Sequence, residues 1–580
     1  MTFAREPLEM VEIIQPLCSR TFGTSPCLAT GDKCWNTNAT CKYRSALNLT
    51  QTISLQFVRD LAHEWITTGG AYQPALGIPA LMGYQTAPTI LNIASGSKNK
   101  SPLGYRGVCQ ITIKDFPWND IGTDPYLSTR SYTPELQGSF WSKWLARNPN
   151  HVGFIVRIYE GFRGDALSAM TKREYIIEKI DFGRNGVSIT AKDILRKVTD
   201  TNVNAPTLSP GELATDLTNS ATSIEVAGAA LTDYPTSGLL RIGSEIVSYT
   251  SRALNAFNNI VFSGVVRGVL NTEAATASQN AKVQRVLAYE NVRFDAILYD
   301  LLTTWGKISA SYIDYAGWQA EADEWRPEFI FTAYLTETNK VEDLVAEICL
   351  QALVSVWWDE RIQKIILRSQ RPDAAPPLIS DDANIIAGSL SIKEIPEERA
   401  SQIHVYYVQR SFTGSVTDKF NYERATVFIN VDKQVEYGGE PQVRELFCRF
   451  IQTDAIANNL AATYLNRFQD VRREVSFSLA DETTYWTGDN LTISHFLDVD
   501  FTGAAKQNTW VVTSAEAKIN GAVYDFVAED NDMVGILWEW VTDAIPEWSS
   551  ASDLQKATIG YWLNDDDTDL DGVPRPFRWL

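Results

Sequence analysis

The sequence is poor in the residues on which much enzyme chemistry rests. Four histidines in 580 residues leave little room for imidazole metal ligands or for a histidine general acid or base. Methionine is also scarce, at 5. Basic residues are outnumbered, 51 Lys and Arg against 71 Asp and Glu, for a net charge of −20. So acidic a chain lacks the broad basic face that neutralises nucleic-acid phosphates, although a local basic patch is compatible with it. No run of about 18 apolar residues occurs; the nearest, 344–358, is broken by Glu347 and Gln351, so no membrane span is expected. The opening MTFAREPLE carries early acids and no apolar stretch, unlike a secretory signal, and synthesis in the cytoplasm is expected. The G-x-S-x-G, Walker A and G-x-G-x-x-G patterns are missing. His63-Glu64-Trp65-Ile66-Thr67 begins like a zinc-protease motif but lacks its second histidine.

What is present is size, aromatic content and a cysteine cluster. A chain of 580 residues exceeds what one hydrophobic core supports, so several domains are expected. Hydrophobic residues at 44% and charged residues at 21% exclude wholesale disorder. Seventeen Trp, 23 Tyr and 24 Phe favour β-structure and interfaces.

Periodicity and turn signals divide the chain. Residues 1–50 are loop-rich and hold four cysteines. Residues 51–200 read as an α+β domain, with strands at 53–57, 108–113 and 152–159. Phe140, Trp141, Trp144 and Leu145 have helical spacing, and strands 175–182 and 187–190 flank the turn 183–186 as a hairpin. A short helix at 193–198 follows. Residues 201–290 turn rich in Ser, Thr, Ala and Asn and read as an inserted all-β module, with strands at 223–226, 239–242, 245–250 and 260–267 and a linker at 201–211. Residues 291–400 return to α+β, with Val341, Leu344, Val345, Ile348 and Ala352 on one helix face and strands 354–358 and 362–367 pairing across 359–361. Residues 401–545 are β-rich, with one helix starting near Thr453-Asp454 whose stripe is Ile456, Leu460, Tyr464 and Phe468; strands are expected at 491–494, 510–513 and 522–527. Residues 546–580 form an acidic C-terminal tail. The fold class is therefore α+β, β-rich and multidomain, with few helices.

Cys18, Cys27, Cys34 and Cys41 are four of seven cysteines, spaced C-x8-C-x6-C-x6-C. In a reducing compartment such a group suits metal better than disulfides. Four soft thiolates hold either a tetrahedral zinc or an iron–sulfur cluster. Zinc ribbons present thiolates in tight C-x2–4-C pairs, which are missing here; separated cysteines suit a larger object, one thiolate per iron. Zinc, disulfides formed after release and unliganded thiols remain the alternatives. Nothing nearby resembles a flavin or nicotinamide site, so a structural role is expected. Cys109, Cys349 and Cys448 read as buried packing residues.

Weaker motifs read as surface. Glu321 and Glu324 could serve glycoside hydrolysis by spacing, but with 71 acids such neighbours arise by chance. Asp567, Asp569, Asp571 and Gly572 open like a calcium loop, yet its twelfth position is Arg578 rather than Glu. Arg163-Gly164-Asp165 matches an integrin-binding tripeptide and reads as coincidence.

The stretches 18–27 (CSRTFGTSPC) and 34–41 (CWNTNATC), then 106–120 (RGVCQITIKDFPWND) with Asp124-Pro125-Tyr126, then 138–149 (GSFWSKWLARNP), resemble tail-tip proteins of long non-contractile-tailed bacteriophages. The resemblance is clearest over residues 15–190 and is to baseplate hub proteins of Mu-like Pseudomonas siphophages. More distantly it reaches the lambda-type tail-tip protein that carries an iron–sulfur cluster and its gene-transfer-agent counterpart. It implies hub-type β-domains, a [4Fe–4S] cluster on Cys18, Cys27, Cys34 and Cys41, and no enzymatic activity. It further implies a homotrimer at the virion tail tip, closing the tube and placed between the distal tail protein, neighbouring tail-tip proteins and the central fibre, with DNA only as transient cargo. The module stretches 221–226 (ATSIEV), 237–250 (SGLLRIGSEIVSYT) and 265–268 (VVRG) are similar to small β-modules of phage tail and fibre proteins, which implies a host surface receptor as partner for 201–290. A receptor-binding or wall-degrading protein is the alternative reading. Net acidity suggests a lumen that repels DNA phosphate.

Overall fold

A computed structural model describes residues 7–59, 77–98, 100–101, 103–105, 107–162, 166–198, 203–371, 376–380, 384–480, 485–519, 523–531, 539–540, 550 and 559–560. The chain is α+β and β-rich, with several sheets and few helices. No helix among the described residues is long and apolar enough to cross a membrane. The motifs at 63–67, 163–165 and 567–572, and nearly all of the tail 546–580, lie outside the described residues.

The N-terminal unit is one eight-stranded sheet. Its strand order is Gly77–Ile78, Gln51–Val58, Pro7–Leu17, Ile155–Phe162, Thr171–Gly183, Gly186–Lys192, Val108–Lys114 and Leu81–Ala87. The two outermost strands are consecutive in sequence, separated by Pro79 and Ala80. Laid flat, eight strands would place the outer pair about 30 Å apart, whereas that link spans about 10 Å. The sheet therefore curls on itself into a barrel, and the Lys114 N–H, donating to the Ala80 carbonyl at 2.8 Å, carries the last strand pairing into the link between the two edges. Inward side chains of alternate strand positions, among them Val11, Ile13, Ile111, Ile113, Val156, Ile158 and Ile189, form its core. The expected helix, Phe140–Arg147, is capped by Ser139, whose hydroxyl accepts from the Ser142 N–H. Its aromatics join that core: Trp141 stacks on Phe57 at 5.4 Å and meets Trp144 edge-on at 5.4 Å. The hairpin around 183–186 forms as expected.

The expected boundary at residue 50 does not hold: residues 1–50 are loop-rich only after Leu17, because Pro7–Leu17 is a strand between two others of the sheet that continues into 51–200. Its apolar pattern is interrupted by Glu12 and Gln15, both buried. Partners distant in sequence satisfy them: Tyr159 donates to Glu12 at 3.1 Å, and Trp144 Nε1 donates to Gln15 at 2.8 Å.

The module has its own core of Leu213, Ile224, Val226, Tyr234, Leu240, Val247 and Phe262, built by two small sheets. The chain enters after Asn204–Ala205, which pairs with Asn339–Lys340, and leaves into Leu287–Arg293, which pairs with Ile330–Leu335.

The expected division at 400 falls inside one core. Ile297, Leu344 and Ile348 pack in the same cluster as Ile403, Val405, Leu460 and Tyr464. The apolar stripe of the helix Asp454–Phe468 needs a partner face, and the preceding α+β stretch provides it. Residues 378–395 and 472–530 instead build a separate six-stranded sheet with its own core, including Phe477, Trp486, Trp510 and Phe526.

The barrel's 88–105 segment threads between these units. Leu91 and Ile93 pack with Trp357 and Val511. The Leu91 N–H donates to the Thr513 carbonyl and the Ala94 N–H to Ser355 Oγ, each at 2.8 Å. Beside them the buried Glu529 pairs with Lys100, Arg472 and Arg467. Burial opposes its charge, but those three cations hold the carboxyl down to about 2.

Candidate metal centre

Leu17 and Gln51 face each other in register at the end of two neighbouring barrel strands. The chain between them leaves the barrel as a long excursion whose regular structure is one helical turn, Arg44–Ala46. So long a connection with little apolar content needs another source of order. Its four cysteines supply a candidate.

Cys18 sits directly after the strand. Its N–H donates to the Asn36 carbonyl at 2.7 Å, and Asn36 Nδ2 donates back to the Cys18 carbonyl at 3.1 Å. Asn36 takes φ 55, a left-handed conformation that Asn tolerates better than most residues. Cys27 and Cys41 each follow a tight turn, with N–H groups donating to the carbonyls of Thr24 at 2.8 Å and Asn38 at 3.4 Å. Cys18, Cys27 and Cys34 are buried and Cys41 is half-buried; all are free thiols. The four line one cavity together with Ala29, Asn36 and Leu47. The structure thus brings together every cysteine of the C-x8-C-x6-C-x6-C pattern.

The donor set is four soft sulfurs. The Asn48 N–H donates to Cys18 Sγ at 3.5 Å, a contact that favours an anionic or ligated sulfur. Burial pushes the Cys34 thiol up; the backbone N–H of Asn36 opposes this, while Cys41, Cys27 and Cys18 push it further up. Four thiolates sharing a cavity repel one another and coexist stably only around a cation. Among the described residues, no three His, Cys, Asp or Glu side chains are grouped closely enough to hold a single metal ion. Four soft sulfurs around one cavity fit a thiolate-held metal centre, for which zinc and an iron–sulfur cluster are both candidates.

The excursion docks on the barrel's 116–150 region. Arg130 donates to the Lys33 carbonyl at 2.6 Å and the Cys34 carbonyl at 2.9 Å. The same guanidinium binds the buried Asp124 at 2.6 and 2.9 Å and lies 4.0 Å from the Trp35 ring centre. Thr37 Oγ1 donates to the Arg147 carbonyl at 2.7 Å, and the Phe22 N–H donates to Tyr126 Oη at 2.9 Å. Arg147 in turn pairs with the buried Asp120 at 2.7 Å. Sequence reasoning missed Arg130 and Asp124 as a unit. No spacing rule connects them to Cys34, 96 residues away from Arg130.

The remaining candidates are structural. Cys109 lies in the barrel core, Cys349 and Cys448 in the body core. Burial raises the Cys109 and Cys448 thiols. Glu321 accepts from the Ser369 N–H at 2.9 Å and pairs with Arg371 at 3.0 Å.

The fold can now be set beside known proteins. No protein-family model matches the chain, and no curated protein matches it. Among solved structures, the 43 kDa tail protein of prophage MuSo2 from Shewanella oneidensis aligns at 8% identity, covering 78% of this chain and 95% of that one, with a TM-score of 0.35. A tail protein from Neisseria meningitidis MC58 aligns at 8% identity over 77% of this chain and 96% of its own, with a TM-score of 0.36. A chain of the native gene transfer agent virion aligns at 11% identity over 57% of this chain and 91% of its own, with a TM-score of 0.33.

Proposed function

We propose that the chain is a structural baseplate hub protein at the virion tail tip of a long non-contractile-tailed bacteriophage, with a structural [4Fe–4S] cluster on Cys18, Cys27, Cys34 and Cys41. One observation carries this reading. The stretches that resemble tail-tip proteins, 18–27 with 34–41, 106–120 with 124–126, and 138–149, meet beside the thiol cavity, through Phe22 to Tyr126, Thr37 to Arg147 and Arg147 to Asp120, and Arg130, between the second and third, holds Lys33 and Cys34. In this role the chain closes the tail tube as a homotrimer and links the distal tail protein to the central fibre.

When bound, the cluster supplies four sulfur–iron bonds that tie distant points of the excursion together. The chain's own residues do the rest. The barrel strands present Cys18, the Arg130 fork presents Cys34, and burial shields Cys18, Cys27 and Cys34 from water. A tail tip must survive outside the cell and open once, and metal binding adds directly to folding free energy. That suits a loop unable to bury a core of its own. The role is structural, without turnover.

The test is anaerobic purification of the full chain with iron and acid-labile sulfide analysis. About four of each per chain and a brown colour are expected, with Cys27→Ser losing both the cluster and tail-tip assembly. Less than one iron per chain overturns the cluster, and zinc in its place selects the alternative ligand. A second reading, receptor binding through the 201–290 module, is favoured by that module's separate core and its two chain crossings. Deleting the module while scoring adsorption and particle assembly separately distinguishes it from the hub role.

A further inference from the structure

The four thiols are not held alike. Cys27 and Cys41 take their backbone hydrogen bonds from turns inside the excursion, to Thr24 and Asn38. Cys18 and Cys34 are fixed from outside those turns. Cys18 continues a barrel strand and exchanges hydrogen bonds with Asn36. Cys34 is fixed by Arg130, whose donors reach the carbonyls on both sides of it: Lys33 O through Nη1 and Cys34 O through Nη2. Those carbonyls belong to the two peptide planes that flank the Cys34 Cα. Because each plane is rigid, fixing both fixes φ and ψ at Cys34 and therefore the direction of its Cα–Cβ bond, and the thiol's contact with Asn36 Oδ1 at 3.4 Å orients the sulfur.

The fork is itself anchored. Nε and Nη2 bind Asp124, whose side chain is wholly buried and also accepts from the Tyr126 N–H at 3.0 Å. Trp35, the residue after Cys34, lies against the guanidinium face. A planar, five-donor fork does this and an ammonium cannot.

We propose that the thiol site is built in two halves: a preset pair, Cys18 and Cys34, with Arg130 as the positioning residue for Cys34, and a second pair, Cys27 and Cys41, whose own peptide groups are held by local turns and which completes the site. This rests on the cluster reading for the identity of the bound group, but the two halves are a property of the metal-free chain. Outer partners that orient a ligand typically change metal retention by about 10–100-fold.

The experiment uses the full chain. In metal-free, reduced protein, alkylation by iodoacetamide is followed at each cysteine by peptide mass spectrometry. Cys27 and Cys41 should react faster than Cys18 and Cys34. Arg130→Gln should raise the Cys34 rate about tenfold and leave Cys41 unchanged, and Arg130→Lys should not restore protection. In anaerobically reconstituted protein, the same variant should release iron to a chelator about tenfold faster and change the electron paramagnetic resonance spectrum of the reduced cluster. Circular dichroism checks folding; should Arg130→Gln fail to fold, Asp124→Asn, which loosens the anchor and keeps the fork, takes its place. Equal Cys34 reactivity in wild type and a folded variant overturns the proposal. Wild type lacking iron and sulfide overturns the cluster reading instead, and the alkylation order still decides the two halves.

Discussion

The barrel and the excursion that leaves it are neighbouring stretches of one chain held by different forces. The barrel encloses a dry aromatic and aliphatic interior, with Trp141, Ile111, Val156 and Ile189 fully buried. Within residues 18–50 the buried hydrophobic positions are Cys18, Cys27, Ala29 and Cys34, so three of the four are thiols. Where apolar area is plentiful, burial organises the chain at about 25 cal/mol per Å². Where it is scarce, order comes from hydrogen bonds to the barrel and from whatever the sulfurs bind. The dependence runs one way: the excursion docks on the barrel's Arg130, Tyr126 and Arg147, and the barrel core uses none of the excursion.

Breaking the stronger side should have the largest effect. Trp141→Ala empties the centre of the barrel and should cost about 3–5 kcal/mol, read by denaturant unfolding, with the excursion losing its support as well. Glu529→Gln removes the carboxylate that Lys100, Arg467 and Arg472 share at the junction and should cost about 3–5 kcal/mol, read as earlier separation of the units by limited proteolysis. Its pH dependence has a definite sign. A carboxyl held down to about 2 contributes stability that is complete above its unfolded value near 4.5 and fades as pH falls from there through 2.

Glu360 sharpens the comparison with the opposite sign. It is buried at the tip of the hairpin of Val354–Asp359 and Lys364–Ser369. Burial pushes its carboxyl up to about 7, and Asp359 and Asp193 add to the rise, while its own backbone N–H and Arg173 oppose it. Stability should therefore decline as pH rises from about 4.5 to 7 and level off above. Glu360→Gln should raise the melting free energy at pH 8 by about 3 kcal/mol and leave it unchanged at pH 4, as thermal unfolding at the two values will show.

The smallest effect on the metal-free fold should come from the excursion. Cys27→Ser swaps one small side chain on a local turn and should shift metal-free stability by less than about 1 kcal/mol. Iron in the anaerobically purified chain should nonetheless drop to background. Barrel destabilisation by this change would show that the two regions are not separable in the way their contacts indicate.

Much of the fold was legible where burial repeats along a single element. The stripes of the helices Val341–Ala352 and Asp454–Phe468, the hairpin at 183–186 and the module strands Ser223–Ala227, Gly238–Ile242 and Glu245–Tyr249 lie where periodicity put them, whereas the expected strand 260–267 ends at Ser263. Pro7–Leu17 was not legible, because Glu12 and Gln15 are neutralised by residues more than a hundred positions away. The shared core across residue 400 was hidden for a related reason. An apolar stripe shows that a helix needs a partner but not which one. Of the candidate site, the four cysteines were visible as a group, whereas Arg130 and Asp124 were not, since a hydrogen bond to a backbone carbonyl leaves no trace in the identity of the residue that owns it.

What the amino-acid sequence determined by itself was local and compositional: an acidic, histidine-poor, β-rich chain of several domains with four thiols in one short stretch. Only the tertiary structure decided that the first sheet closes into a barrel, that the four thiols face one cavity, and that a guanidinium 96 residues away from Cys34 sets the direction of that side chain. The physical reason is that periodicity and composition report what each segment must bury or expose. Which distant segment meets that need is settled by the packing of the whole chain.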